Sequence, residues 1–355
     1  MDFTLSEDQQ ELQRSVREVL AQKYPPERVA AAADGDGGFD AAAWSEVAGL
    51  GWIGVALPEE AGGLGMGFVA EAVILEELGR GLFPGPYLPT VLALSALEED
   101  PELRERVVSG AAPATIAVGD DAQVVAERHG DGWRLSGDAM FVPDLDAAGL
   151  VVVAADAADE PGLYCIEVSA EGLARESLPT VDSTRRLERL SLDNAPARQL
   201  ATGDEGEEAV AGLRRRALAA VAAEAVGVAQ RALELGVEHA GEREQFGRRI
   251  GVYQAVSHRL ADVFVAVEGA RSLALWAAVS VEHDAPDAEA AVAAAKAEAS
   301  EAAVLACEVA IQVHGGIGFT WEHPLHRFYK RALGTSAWLG WPSAHRATIA
   351  TTLLD

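Results

Sequence analysis

The chain has 355 residues, of which 49% are hydrophobic and 24% charged, and its formal net charge is -28. This length permits a sizeable buried core and two or three domains. Such an acidic surface repels nucleic-acid phosphates and anionic lipid, so it disfavours both as partners. An anionic ligand would need a local basic site.

Residues 1–110 have a helical pattern. Ser6 and Gln9 form a capping box at the start of the first helix. A second helix is expected from Asp40 to Leu50, because Gly51 ends it. The glycine-rich residues 58–67 predict a turn rather than a phosphate-binding loop, since no strand precedes them. Further helices are predicted over residues 68–80, 87–97 and 101–109.

Residues 111–202 change to short runs rich in β-branched residues. Turn signals at residues 129–132 and at Asp193-Asn194 separate these runs. Strands at this spacing predict an antiparallel barrel or sandwich. The predicted strands cover residues 115–118, 124–127, 133–135, 150–153, 164–168 and 187–192.

Residues 203–355 are predicted to be helical again, after a linker at residues 203–208. One helix carries a buried apolar stripe made of Val256, Leu260, Val263, Phe264 and Val267. The next, over residues 287–313, is rich in alanine, which permits close helix packing. We therefore predict an antiparallel four-helix bundle. The fold class is α+β and mostly α, with domains at 1–110, 111–202 and 203–355.

The cysteines and the N-terminus predict a soluble, cytoplasmic protein. Cys165 and Cys307 lack ligand spacing, so we expect two buried reduced thiols and no metal site. The N-terminus has no basic region followed by an apolar run. No stretch approaches the roughly 20 apolar residues of a membrane span.

The chemistry-bearing residues are concentrated between Arg243 and Phe319. Residues 243–247 read Arg-Glu-Gln-Phe-Gly, Gln254 follows, and residues 312–319 read Gln-Val-His-Gly-Gly-Ile-Gly-Phe. They offer a guanidinium fork, two amides, an aromatic plane and a glycine turn that a ligand can approach closely. This set suits a pyrophosphate and a purine.

Each feature also has a simpler interpretation. Arg243 could be a solvated charge at a helix end, flanked by two glutamates. One of the two glycines could serve as a helix C-cap, and His314 as a polar residue at the same end. A basic helix face is predicted further on, suited to a CoA phosphate, a partner subunit or solvent. Its residues are His323, His326, Arg327, Lys330 and Arg331.

The motifs in this order resemble the acyl-CoA dehydrogenase family. The resemblance also includes residues 2–6, the segment 51–65 and Glu76-Glu-Leu-Gly79. It implies an all-α N-terminal domain, a middle β domain, a C-terminal bundle, and FAD as cofactor. In that family this part of the bundle reaches the FAD of a neighbouring subunit. By similarity, the residues that would bind the partner's FAD are Arg243, Phe246, Gln254, Gln312, Gly315 and Gly316.

The rest of the family's active site is missing from this sequence. The hydroxylic residues that contact the flavin ring are lost at 116–123, and Pro143 interrupts the second flavin loop at 140–144. The family's catalytic carboxylate, which removes a proton next to the thioester carbonyl, would stand at Leu339 or at Ala217. Neither residue can accept a proton.

This pattern resembles the short, non-catalytic subunits of α2β2 acyl-CoA dehydrogenases of actinobacterial sterol side-chain degradation. The resemblance implies a larger catalytic subunit as partner and a steroid acyl-CoA as substrate. Two alternatives stay open at this point. The chain could be a self-sufficient homomeric dehydrogenase with an unidentified base, or a flavin-free interaction protein that retained the fold.

Overall fold

The computed structural model describes residues 4–35, 41–119, 121–158 and 160–354. N-terminal helices are followed by a middle β-barrel and a C-terminal helical domain, as the sequence predicts. The described residues form two compact units. One is drawn from 1–31, 72–83 and 218–355, and the other from 32–71 and 84–217. These units join segments that are distant in sequence, so the three predicted domain ranges stay a prediction.

The N-terminal helices match the predicted ones, except that the helix at Pro26–Asp34 was not predicted. The Ser6 hydroxyl accepts from the Gln9 N–H at 3.2 Å, and the Gln9 side chain accepts from the Ser6 N–H at 3.0 Å, which confirms the capping box. The predicted helix start at Asp40 and motif residues Asp2 and Phe3 lie outside the described residues. The helices are α1 (Glu7–Lys23), α2 (Pro26–Asp34), α3 (Ala41–Gly49), α4 (Gly67–Gly81), α5 (Tyr87–Ala96) and α6 (Pro101–Val108).

The strands of the middle region pair into a closed ring. The order β4-β2-β3-β7-β5 returns to β4, while β1 extends from β4 and β6 from β7. Fully buried side chains such as Leu135, Val151, Tyr164 and Leu190 belong to one core cluster. The strands are β1 (Ala114–Ala117), β2 (Gln123–His129), β3 (Gly132–Pro143), β4 (Leu150–Ala157), β5 (Glu160–Glu167), β6 (Leu173–Ser177) and β7 (Leu187–Ala201).

Three details of the β region differ from the sequence prediction. The pairs β1–β4 and β2–β4 are parallel, so the barrel is not purely antiparallel. Strand β6 was not predicted. The predicted turn at Asp193-Asn194 is wrong, because both residues lie inside β7, where the register shifts against β3. Asn194 adopts φ 53 and its N–H donates to the Ser136 hydroxyl, which is the geometry of a bulge.

The C-terminal helices are α7 (Gly203–Glu242), α8 (Gln254–Glu282), α9 (Ala288–His314), α10 (Leu325–Ala337) and α11 (Pro342–Leu354). The predicted linker at 203–208 is wrong, because these residues form the acidic first turns of α7, where carboxylates favour a helix start. The alanines of α9 are buried where it packs against α8, α10 and α11. Cys165 and Cys307 are free and buried, as expected.

Helix α8 differs from its predicted pattern. Leu260, Val263 and Val267 are buried, but Phe264 is 55% exposed, so the stripe is narrower than predicted. Helix α8 and the helical run Ala288–Phe319 are long and apolar enough to cross a membrane by length and composition. No stretch long and apolar enough to span a membrane was expected from the sequence. Core helices of soluble proteins meet the same criterion, and α8 and α9 pack against each other here.

Candidate cofactor site

A hairpin with a two-residue loop follows α7 and carries Phe246, one of the residues of the predicted site. Strands β8 (Glu244–Gln245) and β9 (Arg248–Arg249) are joined by Phe246 and Gly247, whose φ angles are 55 and 77. Positive φ at both central positions defines a type I′ turn. Glycine adopts this conformation freely, but a phenylalanine there is strained, at about 1–3 kcal/mol.

The Phe246 side chain makes few contacts within the described chain that could offset this strain. Its side chain is 90% exposed, and its ring meets Tyr253 edge-on with 6.4 Å between centroids. The Tyr253 hydroxyl donates to the Gln245 carbonyl at 3.2 Å, which fixes the hairpin against the start of α8. A strained aromatic ring held outward is suited to a surface or ligand outside the chain.

Arg243 lies between α7 and the hairpin. Its N–H donates to the His239 carbonyl at 2.9 Å, and its carbonyl accepts from the Ile250 N–H at 2.8 Å. The guanidinium is exposed and makes no hydrogen bond or ion pair with any residue that the structure describes. Gln254, the first residue of α8, is exposed as well. The segment from the end of α7 to the start of α8 therefore presents an uncommitted cation and an amide to its surroundings.

The glycine segment at the end of α9 completes the predicted set. Gly315 ends the helix with φ 65, and a Cβ on Gly318 would lie 2.8 Å from the Ile311 carbonyl, so the chain itself requires both glycines. Gly316 has no positive φ, and a Cβ there would meet no described atom within 4 Å. Its backbone is open for close approach from outside. Gln312, on the last turn of α9, is exposed.

Three histidines connect the end of α7 to the glycine segment. The rings of His239 and His314 stack with 4.1 Å between centroids, and His323 lies 4.4 Å from His314. Because His239 is one helical turn before Arg243, this stack brings the end of α7 next to the end of α9. Sequence reasoning missed His239, although its i, i+4 spacing to Arg243 was a usable signal, and it assigned His323 to a basic helix face rather than to this stack.

The two positions of the family's carboxylate are apolar and held by the chain. Leu339 adopts φ 58 in the loop between α10 and α11. The Lys296 ammonium donates to the Ser336 and Gly340 carbonyls on either side of it, at 3.3 and 3.2 Å. Ala217 is fully buried in α7.

The predicted basic face on α10 is wrong in part, because Arg327 and Arg331 are buried. The Arg331 guanidinium donates to the Glu224 carboxylate of α7 at 2.9 Å, with side-chain exposures of 2% and 5%. Such a pair needs each partner, because either charge left alone in the interior would cost several kcal/mol. His323, His326 and Lys330 remain partly exposed.

Helices α4 and α7 are in backbone contact. A Cβ on Gly79 would lie 2.1 Å from the Glu224 carbonyl, and one on Gly227 would lie 1.8 Å from the Glu76 carbonyl. Beside this crossing, Arg271 donates to Glu76 at 3.1 Å and to Gln230 at 2.8 Å. These groups line a cleft of about 390 Å³ together with apolar residues such as Val73 and Leu275.

The residues at the positions of the family's two flavin loops form hydrogen bonds within this chain. The buried Thr115 hydroxyl donates to the Pro143 carbonyl, so it is already used. Phe141 and Asp144 adopt φ 56 and 50. Beneath this loop the buried Glu188 carboxyl accepts from the Leu145 N–H at 2.9 Å, and burial first of all raises its pKa to about 7. Asp120, part of the first loop, lies outside the described residues.

The chain belongs to the acyl-CoA dehydrogenase family. Residues 6–100 match the acyl-CoA dehydrogenase N-terminal domain, and residues 214–354 match the C-terminal domain. This is a family of flavoprotein oxidoreductases, and its members typically bind FAD. The candidate site lies within the second matched range.

Three proteins are similar to this chain over nearly its whole length. Acyl-CoA dehydrogenase IpdE2 of Mycobacterium tuberculosis is 34% identical over 345 residues, which cover 96% of this chain and 95% of the relative. A variant of the Tcur3481-Tcur3483 steroid ACAD is 36% identical, with a TM-score of 0.90 and coverage of 99% and 98%. The ChsE4-ChsE5 complex from Mycobacterium tuberculosis is 30% identical, with a TM-score of 0.93 and coverage of 100% and 99%.

Proposed function

We propose that this chain is the non-catalytic subunit of a heteromeric, FAD-dependent acyl-CoA dehydrogenase and completes the FAD site of a larger catalytic subunit. The observation that carries the proposal is the outward presentation of the candidate site. Arg243 has no partner among the described residues, Phe246 is strained and exposed, and Gly316 is open. The proposed cofactor-binding residues are Arg243, Phe246, Gln254, Gln312, Gly315 and Gly316.

The chemistry of these residues fits FAD. The Arg243 guanidinium can donate two parallel hydrogen bonds to a diphosphate, and it is a local cation on a protein of formal charge -28. The Phe246 ring offers a stacking plane, and the amides of Gln254 and Gln312 can both donate and accept. Backbone N–H groups near Gly316 can approach closely because no side chain covers them. When bound, FAD supplies the hydride acceptor for the reaction.

The proton-accepting carboxylate must come from the partner in this proposal. Leu339 and Ala217 cannot accept a proton. Glu224 lies seven residues after Ala217, on the same face of α7, but its carboxylate is bonded to the Arg331 guanidinium in the interior. The hydroxyl nearest the flavin loops, on Thr115, is likewise committed to Pro143.

The partner and the substrate are proposed from the relatives. The Tcur3481-Tcur3483 protein is a steroid ACAD, and ChsE4-ChsE5 is a complex. We propose an α2β2 heterotetramer that desaturates an acyl-CoA thioester carrying a steroid side chain. We also propose that it acts in the cytoplasm, where CoA thioesters are formed and used.

Co-expression tests the assignment directly. The chain is produced alone and together with the larger acyl-CoA dehydrogenase subunit encoded beside it. The measurements are flavin absorbance per protomer and acyl-CoA-dependent dye reduction. Arg243→Ala is compared with Arg128→Ala, a matched removal of an exposed arginine from β2.

The proposal expects flavin and activity only in the complex. Arg243→Ala should lower flavin retention by about 100-fold, as loss of a charge-assisted bidentate pair predicts, while Arg128→Ala leaves it unchanged. Yellow, active protein from this chain alone would instead establish a homomeric dehydrogenase. A colourless, inactive complex would establish an interaction protein.

A further inference from the structure

Three imidazoles form a continuous stack at the junction of three elements. His239 comes from the last turns of α7, His314 from the end of α9, and His323 from the segment before α10. The ring centroids are 4.1 Å apart in the first pair and 4.4 Å apart in the second. The stack therefore connects the helix end that carries Arg243 with the glycine segment that begins at Gly315.

The hydrogen bonds of the stack require specific protonation states. His314 Nδ1 lies 2.8 Å from the Ala310 carbonyl, which can only accept, so this nitrogen carries the hydrogen. His323 Nδ1 accepts from the Leu325 N–H at 3.3 Å, at the first residue of α10. That acceptor exists only while His323 is neutral, because a protonated imidazole has no lone pair left there. Protonation would also place a cation at a helix N-terminus, where it is disfavoured.

The charges around the stack also oppose a further cation. The pKa of His239 is lowered, first by burial and then by the charges of His314 and Arg243, whereas Glu242 raises it. Burial first, then His314, His239 and His326, lower the pKa of His323 to about 4. On the side of α10, Lys330 lies over the Trp321 ring, which contacts His326. The groups that shift these two pKa values are thus cationic or neutral, apart from Glu242.

We propose that His239, His314 and His323 are positioning residues, and that their stack, with His323 uncharged, holds the glycine segment against the end of α7. A cation at residue 323 would lose the acceptor for the Leu325 N–H and would lie at the positive N-terminal end of α10, so an added charge there opposes the stacking. A charge in the stack would release the segment and separate Arg243 from Gly316. The link to FAD rests on the proposed function, whereas the stack itself does not.

Two substitutions of His323 separate charge from packing. His323→Asn keeps an oxygen that can accept from the Leu325 N–H but removes the ring, and His323→Lys adds a permanent cation. The matched controls are His129→Asn and His129→Lys, at an exposed histidine at the end of β2. The first measurement is amide hydrogen exchange of residues 312–323 in the isolated chain at neutral pH. Exchange of residues 292–306 in α9 reports global unfolding.

The expected result is about tenfold faster exchange in residues 312–323 for His323→Lys, a smaller increase for His323→Asn, which removes the ring without adding a charge, and near-native exchange for both controls. Equal exchange in the two His323 variants, or no change in either, would overturn the proposal. Flavin content of the co-expressed complex is the second measurement. It should fall further in His323→Lys than in His323→Asn. If no complex of this chain binds flavin, the exchange result still decides the role of the stack.

Discussion

Lys296 provides a quantitative test of how the chain fixes the loop between α10 and α11. This lysine is completely buried in α9 and forms no ion pair with any described residue. Its ammonium donates to the Ser300 hydroxyl at 3.2 Å and to the Ser336 and Gly340 carbonyls at 3.3 and 3.2 Å. Burial lowers its pKa from 10.5 to about 8.

The size of the effect follows from this change in pKa. The difference between 10.5 and about 8, at 1.36 kcal/mol per pH unit, is about 3 kcal/mol. Because the folded chain binds this proton more weakly, the charged lysine destabilises it by that amount below pH 8. The penalty disappears as pH rises from about 8 towards 10.5. Lys296→Met removes the titration.

The comparison is between wild type and Lys296→Met in urea unfolding at pH 7, 8, 9 and 10. The free energy of unfolding of the wild type, relative to the variant, should be constant up to about pH 8 and then rise by up to about 3 kcal/mol. Other groups cancel in this difference. Lys23→Met, at an exposed lysine at the end of α1, should show no such rise. A flat difference between pH 8 and 10 would refute the reasoning.

Three further predictions concern other strained or buried positions. Glu188→Gln should stabilise the chain by about 3 kcal/mol above pH 7 but little at pH 4. The pKa of Glu188 is raised from 4.5 to about 7, so the folded chain favours the neutral carboxyl, and burying the charged carboxylate destabilises the wild type once the pH is above about 7. Urea unfolding at both pH values checks this, and an equal gain at both contradicts it. Gly227→Ala should destabilise by about 3 kcal/mol or more in thermal unfolding, because its Cβ would lie 1.8 Å from the Glu76 carbonyl. Gly241→Ala in the same helix, with no described atom within 4 Å, should be neutral or stabilising. Phe246→Asn should stabilise the isolated chain by about 1 kcal/mol by relieving strain, yet lower flavin retention in the complex; unchanged retention would exclude its assigned role.

The sequence predicted the elements best where local signals decide the structure. The capping box of Ser6 and Gln9 is confirmed. The helix predicted at 101–109 begins after Asp100, whose side chain accepts from the Leu103 N–H. The same local signals misled at Asp193-Asn194, because a left-handed asparagine suits a bulge inside a strand as well as a turn. They also misled at residues 203–208, since an acidic glycine-containing segment has the composition of both a linker and a helix start.

Burial was harder to predict, because it depends on elements that are distant in sequence. Arg331 was expected on a basic face but pairs with Glu224, 107 residues away. Phe264 has a helical spacing typical of a core residue but is 55% exposed. The motif residues lie in one compact unit, and their assignment to a cofactor site stays a prediction. The histidine stack depends on three separate elements, so no local pattern contains it.

The candidate cofactor site and the positions of the family's catalytic carboxylate differ in how the chain uses them. This difference supports the proposal that the active site is shared between two subunits. At Arg243, Phe246 and Gly316, the described chain supplies no internal use for a free cation, a strained aromatic residue and an open glycine. At Leu339, by contrast, a buried lysine holds the backbone on both sides. The stability of the chain alone does not account for the first set, because strain and an unpaired charge contribute nothing to folding. Contact with an external ligand or subunit, as proposed above, would account for it, whereas an independent active site would need a proton acceptor at Leu339 or Ala217.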